Sequence, residues 1–170
     1  AQAPGDVRLA LVIGNAAYAD APLANPVNDA KAMSTMLRGL GFQVLELRNA
    51  TKAQVESAIA QARDTLKGRN GIGLLYYAGH GMQMDWRNYL LPVDARVDSA
   101  ADVRDLTVDL QTVVEAFAQA GNRVNILVLD AGRDNPFPGV TGAKGLAPMD
   151  APPGTLLAYA TAPGNVAYDG

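Results

Sequence analysis

Hydrophobic positions in this chain follow two rhythms that alternate along its length. Residues 8–15, "RLALVIGN", form a short apolar run that stops at Gly-Asn, as a strand buried on both faces does. A loop rich in Ala, Pro and Asn follows, and then "NPVNDAKAMSTMLRGLG" predicts a helix. Asn25 stands where an N-cap belongs, Pro26 suits the first turn, and Met33, Met36, Leu37 and Leu40 supply an apolar face before Gly39 and Gly41 end it. "FQVLELR" (42–48) alternates apolar and polar and predicts a strand. In "TKAQVESAIAQARDTLKG", Thr51 and Gln54 match a capping box, and Val55, Ile59, Ala62 and Leu66 share one stripe before Gly68. "GIGLLYYAGHG" (71–81) predicts a third buried strand and "MQMDWRNYLLPVD" a small hairpin. "TVDLQTVVEAFAQAG" predicts a third helix with Leu110, Val113, Val114 and Phe117 inward, and "RVNILVLDAG" and "GTLLAYATAP" (154–163) predict the last two strands.

Strands alternating with helical crossovers imply an α/β fold, with a mainly parallel sheet flanked by helices on both faces. No internal repeat is visible, and 170 residues suit a single domain spanning 1–170. The stretch 133–153 is rich in Gly and Pro and has no period. A loop of about 20 residues in a small domain is uncommon and marks a functional or mobile segment.

Composition narrows the function. Apolar residues make up 49% and charged residues 18%, as in an ordinary globular protein. A net charge of −3 offers no basic field, which argues against nucleic acid or an anionic membrane as the main partner. No apolar stretch approaches the roughly 18 residues a membrane span needs. With no cysteine, the chain has no disulfide, no thiolate metal site and no thiol nucleophile. With one histidine, a zinc site would need an unusual ligand set. The N-terminal "AQAPGD" resembles the remnant of an A-x-A signal-peptidase site and points to a periplasmic or secreted protein; a trimmed domain edge, in a cytoplasmic protein, accounts for it equally well.

Ligands of open α/β sheets bind beyond the carboxyl ends of the strands. Two predicted strand ends carry unexpected residues: "YYAGHG" sets His80 between Gly79 and Gly81, and "LVLDAG" sets Asp130 two residues before Gly132. Singly, each has an ordinary explanation as a hydrogen-bonded structural histidine, a solvated or capping carboxylate, or a turn glycine. Together they would face one crevice if the two strands are neighbours.

The spacing adds to this. His80 precedes position 132 by 52 residues, and in caspases the catalytic His lies about 50 residues before the Cys-bearing signature. "YYAGHGMQ" and "LDAGRDNPF" resemble the His and Cys motifs of bacterial caspase-like peptidases of the orthocaspase and metacaspase type, whose second motif usually reads Asp-Ala-Cys-Arg-Asp-Asn-Pro. The resemblance extends to "ALVIGNAAY", "NPVNDAKAM", "LLPVD" and "AYATAPGNVAYDG", so it covers nearly the whole chain as a p20-like region plus the start of a p10-like region. The strand and helix that follow a segment like "YDG" in that family are not in this sequence.

The resemblance implies a caspase-like fold and a Cys–His endopeptidase, with His80 as general base and acid. The backbone N–H groups of Gly81 and of position 132 would form the oxyanion hole. It also implies that Asp29 in "VNDA" and Asp130 line a pocket for Arg or Lys at the residue before the scissile bond, where a carboxylate pair suits a guanidinium or ammonium. Taken alone, Asp29 is equally a first-turn acid favouring the helix dipole. The sequence departs from the family at the nucleophile, because Gly132 has no side chain. Ser34 and Ser57 fall within predicted helices, Ser99 lacks a G-x-S-x-G setting, and Thr161 has no obvious base, so none replaces the thiol. Survival of the other site residues points to an inactivating substitution. A natural pseudopeptidase that binds peptides or proteins is the alternative, and a flavodoxin-like domain binding a small ligand a third.

No cofactor is required by this chemistry. Calcium activation is common among metacaspases, and Asp94, Asp98, Asp102, Asp105 and Asp109 form an acidic series, but without EF-hand spacing a solvated acidic loop is the expected reading. Lys144 is a candidate self-processing site in the long loop. "GNAAYADAP" lacks the G-x-G-x-x-G pattern, which disfavours nucleotide. The expected partner is a peptide or protein with a basic residue before the scissile bond, and the sequence does not give an oligomeric state.

Overall fold

Five strands, β1 (Arg8–Gly14), β2 (Gln43–Arg48), β3 (Ile72–Gly79), β7 (Val124–Ala131) and β8 (Thr155–Tyr159), form an all-parallel sheet in the order β2-β1-β3-β7-β8. This is the arrangement in a computed structural model, which describes residues 7–19, 22–131 and 146–160. Between the strands lie α1 (Pro26–Gly39), α2 (Lys52–Leu66), α3 (Ala100–Leu106) and α4 (Leu110–Ala120), while β4 (Gly81–Met84), β5 (Arg87–Leu90) and β6 (Val108–Asp109) make a small antiparallel sheet.

The strands alternate between two cores. Leu9, Leu11, Ile13, Leu75, Tyr77, Leu127, Leu129 and Ala131 pack with the buried stripes of α2 and α4. Ala10, Val12, Leu74, Tyr76 and Ala78 pack on the other face with Ala30 and Leu37 of α1. Both α2 and α4 present the side chains their periodicity predicts, and the capping box of α2 is formed: Gln54 N–H donates to Thr51 Oγ1 at 3.3 Å, and Thr51 N–H to Gln54 Oε1 at 2.9 Å. The first turn of α1 lies close to the end of β1, and only a glycine permits it: a Cβ on Gly14 would come within 2.4 Å of the Pro26 carbonyl oxygen and 2.7 Å of Ala30 Cβ.

Four expectations change. The buried side chains of α1 are Pro26, Ala30, Ser34 and Leu37, so Met36 and Leu40 are exposed and only Leu37, with Met33 partly buried, fulfils the expected apolar face. Small residues on the inner face let this helix sit close to the sheet, which turns 36 and 40 outward. Asn25 makes no side-chain capping hydrogen bond; its backbone carbonyl accepts from Asp29 N–H instead. The run 71–81 is not one strand, because β3 stops at Gly79 and β4 starts at Gly81 in a different sheet. The acidic series is not one solvated loop. Asp102 and Asp105 lie on α3, capped by Ser99, Asp94 accepts from Lys52 N–H, and Asp109 caps α4 and pairs with Arg87.

The expected hairpin is β4–β5, turning through Asp85 and Trp86, both at positive φ. The expected long loop is pinned at its far end. Leu146 and Ala147 are buried, and the Asn88 side chain holds the Ala147 backbone at both N–H (2.6 Å) and C=O (2.9 Å). Residues 132–145, including Lys144, lie outside the described residues, as does Thr161.

Candidate active site

The carboxyl ends of β3 and β7 are side by side. Ala78 pairs with Asp130 and Gly79 with Ala131, so His80 follows directly from the last registered pair. Gly132 itself lies outside the described residues, but its chain neighbour Ala131 is buried against the His80 turn. A Cβ on Gly81 would meet Ala131 Cβ at 3.1 Å and the Leu146 side chain at 3.2 Å. Gly81, the proposed oxyanion-hole residue, therefore sits between the two roots of the segment that contains position 132.

His80 is 8% exposed and closely held. Its backbone N–H donates to the Tyr18 hydroxyl at 2.9 Å, and its carbonyl accepts from the Tyr77 hydroxyl at 2.6 Å and from Leu91 N–H at 3.0 Å. The Tyr18 ring lies beside the imidazole, with centroids 4.4 Å apart and planes at 49°. Burial above all, then the neighbouring Tyr18, pushes the Tyr77 phenol well above its ordinary range, so it stays a neutral donor. Gly79 allows the turn: its φ is +156°, and a Cβ there would fall 2.7 Å from the Tyr18 hydroxyl oxygen and 2.9 Å from that of Tyr77.

The two acids lie on the opposite face of the sheet from Tyr77. Asp130 follows Ile126 and Val128 on the α1 side of β7, and Asp29 is in the first turn of α1. They meet electrostatically at Tyr76, whose phenol is pushed up to about 12 by burial first and then by the Asp130 and Asp29 carboxylates. Both acids are part-exposed. Sequence reasoning missed Tyr18, Tyr76 and Tyr77. The period-2 rule could have separated Tyr76 from Tyr77, since adjacent residues on a central strand face opposite ways; nothing in the pattern marks Tyr18. Among the described residues no three His, Asp or Glu side chains converge on a possible metal position, and no helix is long and apolar enough to cross a membrane.

A parallel sheet between helices, with a histidine and two carboxylates at its carboxyl edge, is the architecture of a caspase-like peptidase domain. The Caspase domain family model matches residues 7–170, and the chain belongs to that family. It is 27% identical over 168 residues to the mucosa-associated lymphoid tissue lymphoma translocation protein 1 of Homo sapiens, and equally to its Mus musculus homolog. Those alignments cover 95% of this chain and 19% of each relative, so the chain spans about a fifth of the length of the curated relatives it matches.

Proposed function

We propose that this chain is a caspase-like cysteine endopeptidase domain directed at bonds after Arg or Lys, and that Gly132 at the nucleophile position leaves it able to bind such segments without cleaving them. The observation that supports the reading best is the pairing of Gly79 with Ala131, which brings the histidine-bearing strand end beside the one leading to position 132. With a thiol there, His80 takes its proton, the thiolate attacks the scissile carbonyl, and His80 then protonates the leaving amine. The N–H groups of Gly81 and position 132 receive the developing oxyanion. Without the thiol, such a hole retains an acceleration of roughly 10³-fold over water, negligible beside a working protease. The preference for Arg or Lys rests on the two carboxylates that act together on Tyr76. The second reading, a non-catalytic module that grips basic segments, is favoured by the absence of any cysteine.

The deciding experiment is Gly132→Cys assayed on peptides with Arg, Lys or Asp before the scissile bond, each with calcium and with chelator, since calcium activation belongs to the proposal. Turnover after Arg or Lys that a thiol-alkylating reagent abolishes is expected. A folded variant with no turnover refutes the peptidase reading and favours the binding module. In the active variant, Asp130→Asn should raise KM for the Arg peptide about tenfold, a loss of about 1.4 kcal/mol; unchanged selectivity refutes the pocket assignment.

A further inference from the structure

We infer that Tyr18 is a positioning residue for the imidazole, so that the loop after β1 sets the aim of the candidate base. The inference rests on the reading of His80 as the general base. Tyr18 follows β1 in a segment that its composition marks as an ordinary surface loop, yet it is only 7% exposed. The backbone that carries it is fastened on several sides. Asn15 N–H donates to the Ala78 carbonyl at 2.9 Å, and Ala16 N–H and Ala17 N–H share Asn49 Oδ1 at 2.9 and 3.0 Å. Asn15 Oδ1 accepts from Ala50 N–H at 2.9 Å. Three strand ends, those of β1, β2 and β3, thus converge on one short loop, and that loop delivers one ring and one hydroxyl to His80.

Proton counting shows how the hydroxyl acts. Tyr18 has one proton to give, and the nearer acceptor is the Leu91 carbonyl at 2.8 Å, against 3.2 Å to the Tyr77 oxygen. Its lone pairs are then left to accept from His80 N–H. Tyr77 directs its proton to the His80 carbonyl at 2.6 Å, where Leu91 N–H also arrives. The peptide groups on both sides of His80 Cα are therefore held. The side chain that this backbone carries has the Tyr18 ring beside it, with centroids 4.4 Å apart and planes at 49°. If Tyr18 served packing alone, a phenylalanine would fill its place. The hydroxyl is the atom that distinguishes positioning from filling.

His80 is the only histidine in the chain, so its imidazole signals are unambiguous in an NMR spectrum. Two readouts test the proposal: imidazole shifts, ring mobility and the exchange rate of the His80 amide in the chain as it stands, and kcat and KM in the Gly132→Cys background. Tyr18→Phe should speed exchange of the His80 amide at least about tenfold, mobilise the imidazole, and lower kcat about tenfold with KM within about twofold. Tyr18→Leu, which also removes the ring, should lower kcat on the order of 10²-fold, the cost of misplacing a catalytic group by about an ångström. If Tyr18→Leu does not fold, Tyr18→Phe, one oxygen atom smaller, carries the test alone. A Tyr18→Phe protein with unchanged imidazole signals and unchanged kcat overturns the proposal while leaving the peptidase reading intact. A loss of kcat matched by the fraction of unfolded protein overturns it too. If Gly132→Cys has no turnover but Tyr18→Phe still loosens the imidazole, the positioning stands and the peptidase reading falls.

Discussion

Replacing Gly79 by alanine is the most direct test of the geometry at the end of β3. The added methyl would lie 2.7 Å from the Tyr18 hydroxyl oxygen, 2.9 Å from that of Tyr77 and 3.1 Å from Asn15 Cβ, on a residue whose φ is +156°. Two costs add. The backbone conformation is one that L-residues avoid, at about 1–3 kcal/mol, and overpacking a well-filled site costs about 1–3 kcal/mol more. Neither hydroxyl can retreat cheaply, because both are held: Tyr18 by the Leu91 carbonyl and Tyr77 by the His80 carbonyl. The expected loss is therefore at least about 2 kcal/mol, a large fraction of the 5–15 kcal/mol typical of a domain. Urea unfolding at unchanged m-value measures it. Gly39→Ala is the matched control: a Cβ there meets nothing within 4 Å, and alanine at this last helical residue should stabilise by about 0.4–1 kcal/mol by restricting the unfolded chain. A Gly79→Ala loss below about 1 kcal/mol, with the control behaving as expected, refutes the close approach of the two tyrosines to the glycine.

Tyr76 makes an alkaline prediction. Its folded-state pKa is about 12 and its unfolded value about 10, so between those limits the native state keeps a proton that the unfolded chain releases. This contribution to stability is thus fully present below pH 10 and is lost as pH rises from 10 through 12; Tyr76→Phe should flatten this part of the curve, and equal slopes in parent and variant would count against the burial beside Asp130 and Asp29. Asn88→Ala should cost about 1–3 kcal/mol, since it strands the fully buried N–H of Ala147; a thermal melt within error of the parent would show that the clamp does not fasten residues 146–147.

Much of the fold is legible because period and punctuation agree. The α2 stripe, its capping box and the four inward residues of α4 all lie where the sequence puts them. The failures have local causes. Met36 and Leu40 look like core residues by spacing, but Ala30 and Ser34 bring α1 so close to the sheet that the buried stripe rotates toward the small side chains. The seven-residue helix α3 is too short for its pattern to stand out, and its aspartates read as loop. In the candidate site, His80, Asp29 and Asp130 are visible as polar residues at strand or helix ends. Tyr18 is not, because its burial depends on hydrogen bonds to the backbones of His80 and Leu91, which are far away in sequence.

The tyrosine pair at 76 and 77 shows how one strand reaches both halves of the candidate site. On a central parallel strand both faces are buried, so an apolar run conceals the alternation that an exposed face would display. Tyr77 points toward α2 and α4, where its hydroxyl holds the carbonyl of His80. Tyr76 points toward α1, where its phenol feels Asp130 and Asp29. The register that pairs Gly79 with Ala131 aligns the ends of β3 and β7, and with them Asp130 and the residue before His80. On the proposed reading, the backbone of His80 is held by Tyr18, Tyr77 and Leu91, while Asp130 and Asp29 stand on β7 and α1. If the proposed function holds, then in the Gly132→Cys background substitutions on the Tyr77 face should act on kcat, and those on the Tyr76 face on KM and selectivity.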